Sequence, residues 1–155
     1  MLGCYLKVGG RSFNPDAFLA RARFTNFEIW RVGEPVKRRR PGPSRVYENS
    51  GFTCDVGMSD GVLKDQIRDA QAFLVRHRDE FVALAADAAV EFADLELSYY
   101  CRLGSRAPGR GTRVLVVQGE YLPKSFLRLA GDLGVGVALS LYPNPNDHED
   151  EDESL

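Results

Sequence analysis

Phe13-Asn14-Pro15-Asp16-Ala17-Phe18-Leu19-Ala20-Arg21-Ala22 near the start, and Tyr121-Leu122-Pro123-Lys124-Ser125-Phe126-Leu127-Arg128-Leu129-Ala130 near the end, read as one helix-forming pattern used twice. In each, an aromatic residue and a proline precede a Phe-Leu pair and an alanine. Proline suits the first turn of a helix, where its missing N–H would have no partner anyway, and Asn14 is a good N-cap. Each copy follows an apolar stretch ending in glycine (Leu6 to Gly10, Val114 to Gly119) and precedes further strand character (Phe27 to Val32, Val135 to Tyr142). The expectation is a duplicated strand-helix-strand unit, with helices over Pro15 to Ala22 and from Pro123 to Gly131 or Gly134. Both Phe-Leu pairs should then face the same sheet.

The chain between the copies extends this reading. Cys4, Leu6 and Val8 alternate with Tyr5 and Lys7, the period of a half-buried strand. Strand character returns from Val46 to Val56, where Phe52, Cys54 and Val56 share a face. After Ser59-Asp60-Gly61, a stripe of Leu63, Ile67, Ala70, Leu74, His77, Phe81 and Leu84 at spacings of four and three reads as a long helix packed on a sheet. Asp79 could cap a second piece, placing a break near His77. Leu95, Leu97, Tyr99 and Cys101 alternate as a strand, and the Val-rich run Arg113 to Gln118 could return beside it as an antiparallel hairpin. The assembled expectation is an α+β two-layer sandwich: one mixed, mostly antiparallel sheet of about six strands, with the helices packed on it.

A chain of 155 residues fits one domain, here 1–143. With 44% hydrophobic and 27% charged residues, its composition is that of a globular protein. Residues 144–155 hold a run of acids with no apolar face to bury and are expected to be a disordered acidic tail. Six of the 22 acids lie beyond Pro143 with none of the 20 basic residues, so the formal charge of −2 becomes +4 on the body. No stretch approaches the apolar length of a membrane helix, and no signal peptide is recognised at the start, so a cytoplasmic location without membrane contact is expected. Cys4, Cys54 and Cys101 are odd in number and far apart, which points to buried free thiols rather than disulfides or a metal site.

Catalytic signatures are thin. The two histidines are His77, on the helical stripe, and His148, in the tail. A packed or capping role suits the first, and a flexible tail gives the second no coordination geometry. No nucleophile elbow or phosphate-binding glycine loop is present, and neither a cofactor nor a metal is expected. Two features suit binding instead. Lys37, Arg38, Arg39, Arg40 and Arg45 form a basic cluster in a Pro- and Gly-rich loop, of the kind that attracts phosphate backbones or acidic partners, including the chain's own tail. Trp30 and Tyr100 fall opposite the apolar faces of their strands, where aromatic residues can dominate an interface.

Phe13-Asn14-Pro15, Trp30-Arg31-Val32-Gly33-Glu34, Ser50-Gly51-Phe52, Leu133-Gly134-Val135 and Leu139-Ser140-Leu141-Tyr142-Pro143 together resemble the bacterial proteins grouped near Domain of Unknown Function 4279. The likeness is spread over most of the chain before the tail, and the basic loop and acidic tail have no counterpart in it. It implies a small bacterial cytoplasmic domain and carries over no catalytic residues. The functional expectation is a non-enzymatic binding domain that docks a protein partner, an immunity or antitoxin-like role being one version. The alternative is a nucleic-acid-associated accessory protein that uses loop 37–45.

Overall fold

A computed structural model describes residues 2–36, 45–57, 59, 61–101 and 118–143. The first strand, β1 (Cys4–Gly10), buries Cys4, Leu6 and Val8 on one side, as its alternation requires. Helix α1 (Pro15–Leu19) opens on Pro15 and is capped by Asn14, whose Oδ1 accepts the Ala17 N–H at 3.0 Å. Strands β2 (Phe27–Trp30) and β3 (Ser50–Gly57) follow. The expected strand from Val46 starts only at Ser50, because Val46 instead bridges Pro35. Val36 donates to the Arg45 carbonyl and Tyr47 to that of Glu34, making a short antiparallel stem beyond β2.

The long helix is two helices, α2 (Leu63–Arg76) and α3 (Arg78–Ala86), broken at His77. Asp79 does not make the cap. His77 occupies that position without a side-chain capping bond, and Phe73 and Phe81 meet edge-to-face across the break at 6.0 Å. Strand β4 (Phe92–Tyr100), helix α4 (Lys124–Asp132) and strand β5 (Gly136–Tyr142) complete the described chain. Pro123 sits at the N-cap of α4 rather than inside it, and Gly134, with φ +69°, supplies the left-handed turn from α4 into β5.

The described residues contain one five-stranded sheet in the order β2-β3-β1-β4-β5, with β4 and β5 parallel and the other pairs antiparallel. The expected α+β class and mixed, mostly antiparallel sheet are therefore present. The sixth strand, at Arg113 to Gln118, falls on residues that, Gln118 apart, lie outside the described ones. Both edges of β4 are already taken across Asp94 to Leu97, by β1 and β5, so the expected hairpin partner has no free edge there. The acidic tail, 144–155, also lies outside the described residues.

The helices pack on one face of the sheet. Between the layers, the rings of Phe13, Phe18, Phe24, Phe52, Phe73 and Phe81 form a connected cluster with centroid separations of 5.5–6.3 Å. Burying each such side chain contributes about 1.5–3 kcal/mol, and ring pairing adds to it.

The two helix-forming segments are both helical, but they are not equivalent. Helix α1 stops at Leu19, short of Ala22, and Arg21 and Ala22 both donate to the Phe18 carbonyl in a tightened turn. Phe18 and Leu19 are both buried, whereas in α4 only Phe126 is, with Leu127 44% exposed. The leading aromatics also diverge, since Phe13 is 4% exposed and Tyr121 78%. The likeness thus reaches one aromatic anchor per helix, and the duplicated unit is not supported. Consecutive residues of any helix point about 100° apart, so both members of a pair are buried only where neighbouring chain covers more than one side of the helix.

Candidate functional site

No element among the described residues covers the second face of the sheet. Because side chains alternate along each strand, the register sets that face in rows. Trp30, Gly51, Gly9 and Phe92 form one row, and Glu28, Thr53, Lys7, Asp94 and Gly136 the next. Asp55, Tyr5, Glu96 and Ala138 form the third, then Ser98 with Ser140, and last Tyr100 with Tyr142. The result is a polar middle with aromatic ends.

Trp30 is fixed at one end. Its indole N–H donates to Asn49 Oδ1 at 2.9 Å, and its ring stacks on Tyr47 with centroids 5.8 Å apart. Gly51 permits this: a side chain there would strike the Trp30 ring and the Val8 carbonyl. Gly9 plays the same part beneath Phe92. Tyr100 lies at the other end, eight residues further along β4 than the row of Trp30, roughly 26 Å away at about 3.3 Å per residue.

Two shallow basins flank Tyr5 in the polar middle. One, of about 480 Å³, is lined by Leu2, Tyr5, Lys7, Thr53, Glu96, Ser98 and Tyr142. The other, of about 520 Å³, is lined by Tyr5, Asn26, Phe27, Glu28, Thr53 and Asp55. In the first, Glu96 accepts from Lys7 Nζ at 3.2 Å and from Ser140 Oγ at 2.8 Å. Burial alone would raise the Glu96 carboxyl, but the Ser140 bond and the Lys7 charge outweigh it, and its pKa falls below the ordinary value.

Groups with familiar catalytic chemistry are held in structural roles. His77 packs its ring against Phe24 and Phe73 at 4.9 and 4.5 Å, and burial lowers its pKa despite Glu80 nearby. Glu80 accepts from the Arg23 Nε at 2.8 Å, from a second guanidinium nitrogen at 3.3 Å and from the Arg23 backbone N–H at 3.2 Å. The Arg23 hydrogen bond is the largest cause that holds this carboxyl down at about 2. Cys4 and Cys54 are buried free thiols, as expected, pushed up by burial to about 12 and about 11. Cys101 is only half-buried. Among the described residues no group of three or more His, Cys, Asp and Glu side chains is placed to hold a metal ion.

Of the residues singled out from sequence, Trp30 and Tyr100 both lie on the open face, at opposite ends, so they do not form one compact site. Arg45 is exposed at the end of the stem away from β2, two residues from Tyr47. Lys37, Arg38, Arg39 and Arg40 lie outside the described residues. Sequence reasoning missed Tyr5, Glu28, Asp55 and Glu96. Their signal was present, since each alternates with a core-facing residue, but only the strand order brings them side by side.

No family model matches this chain, and no curated protein or solved structure matches it either. The resemblance to Domain of Unknown Function 4279 therefore rests on its short motifs alone.

Proposed function

We propose that this chain is a non-enzymatic binding domain that docks a protein partner on the open face of its sheet. The observation that carries the reading is the one-sided layering: helices cover one face, and the other pairs aromatic ends with a polar, shallow middle. Such a surface combines rigid backbone with amphipathic anchors, the composition of interface hot spots. The reading is supported by the engagement of His77, Glu80, Cys4 and Cys54 in packing or ion pairing, which leaves them poorly suited to proton transfer or nucleophilic attack. In a bacterial cytoplasmic setting, an immunity or antitoxin-like role is its specific version. The test is purification from native lysate of the wild type beside Ala138→Arg, which sets a long cation at an exposed position of the edge strand β5 on the same face. A stoichiometric protein that co-purifies with the wild type and is lost from the variant is the expected result. Equal recovery from both refutes docking at this face.

A second reading has its own observation. The stacked Trp30–Tyr47 pair stands at the foot of the stem, whose two sides are joined in the sequence by the stretch that holds Lys37 to Arg40, and aromatic rings with clustered cations suit single-stranded nucleic acid. Nucleic acid that co-purifies with the wild type and is lost when Lys37 to Arg40 are neutralised would favour it over docking.

A further inference from the structure

We infer that the segment received by the open face is basic, and that one of its arginine or lysine side chains seats in the basin beside Tyr5, between Glu28 and Asp55. This rests on the docking reading above and adds the chemistry of the occupant.

The open-face positions of the five strands carry four carboxylates, Glu28, Asp55, Asp94 and Glu96, against the single ammonium of Lys7. Overall composition does not explain this, because the body to Pro143 is net positive. The sign of this face is therefore opposite to that of the body. Lys7 is committed to Glu96 at 3.2 Å, and among the described residues no cation forms an ion pair with Glu28 or Asp55. Both of these carboxylates line one basin.

Their arrangement suits a basic side chain. Glu28 is in register with Thr53, and Asp55 lies two residues further along the same strand, so the two are diagonal cross-strand neighbours whose backbones are roughly 7–8 Å apart. Unpaired like charges on such neighbours repel, and a cation placed between them relieves the repulsion. Among the described residues no third His, Cys, Asp or Glu joins them to make a metal-binding group. A guanidinium, with donors on several edges of a planar fork, can bridge them. Tyr5, on the same face as both acids, lines the basin and offers its ring to the cation and to its apolar stem. The complementary partner is therefore a basic protein segment that crosses the strands from β2 to the edge strand β5.

The test is a titration of full-length, isotope-labelled protein with an acetylated nona-arginine amide, followed residue by residue by NMR. Wild type is compared with Glu28→Gln/Asp55→Asn, which exchanges two exposed carboxylates for amides of the same shape, and with Glu28→Gln alone. Saturable shifts at Tyr5, Thr53 and Asp55 in wild type are expected, with binding at those amides at least ten-fold weaker in the double variant. Any response of residues 144–155 is read at their own amides and does not count. Absence of basin shifts, or unchanged affinity there in a folded double variant, overturns the inference. So does a native partner that the double variant retains and Ala138→Arg loses, in which case the docking reading stands with an occupant of different charge. A partner retained by Ala138→Arg refutes the docking reading itself, while the peptide titration still reports separately whether the basin takes a cation.

Discussion

On the helix side, β1 presents Cys4, Leu6 and Val8, all almost fully buried, while on the other side the same strand presents Tyr5 and Lys7 beside Glu96 and Thr53. The two faces share every backbone hydrogen bond and differ only in which alternate residue they show. The buried face carries the stability, because each apolar side chain there is removed from water. The open face stays wet, so its residues are free to be chosen for chemistry.

The comparison can be broken at several points. The largest effect is expected at Phe126, which is fully buried and should cost about 3–5 kcal/mol as Phe126→Ala in urea unfolding. Leu127→Ala, next to it and 44% exposed, should cost less than about 1 kcal/mol. Equal costs would mean that the two positions are buried alike. Gly51→Ala tests whether the open face has structure of its own. The added methyl meets the Trp30 ring and the Val8 carbonyl, so a loss of about 1–3 kcal/mol is expected, with a change in Trp30 fluorescence. A silent substitution would show that Trp30 is not seated over that glycine.

Two pH-dependent tests follow on the helix side. Glu80 has a folded pKa of about 2 against an ordinary 4.5, so its contribution is full above about pH 4.5 and is lost as pH falls toward 2. Glu80→Gln should therefore be less stable than wild type at pH 7, and the gap should close on acidification. For His77 burial lowers the pKa, so the folded state keeps the ring neutral while the unfolded chain protonates near 6.5. Stability is then lost as pH falls below that value, and His77→Gln should flatten this limb while leaving partner binding unchanged. A folded variant that no longer bound its partner would give His77 a direct role. The smallest stability effect belongs to the open face: Ala138→Arg should shift unfolding by no more than about 0.5 kcal/mol while abolishing docking. A large destabilisation would mean that the position is not free.

Much of this was legible beforehand. The alternation of Cys4 to Val8, of Phe52 and Cys54, and of Leu95 to Tyr99 marks the core side of three strands, and the stripe from Leu63 to Leu84 marks a long helical segment that could break near His77. Trp30 and Tyr100 could also be assigned to a non-core face by parity alone. Their separation could not, nor could the meeting of Glu28 with Asp55.

The sequence by itself determined what is local: strand faces, the Asn14 cap, a glycine turn at Gly131 or Gly134 and the α+β class. These depend on residues within one or two turns of each other, where steric preference and hydrophobic period act directly. Only the tertiary structure decided that β4 lies between β1 and β5, that the described helices share one side, and that Phe126 is buried while Leu127 is not. Strand order and burial depend on contacts between segments far apart in the chain, and the same local pattern is compatible with several such arrangements. The likeness of the two helical segments illustrates this, because similar residues acquire different environments once different neighbours cover them.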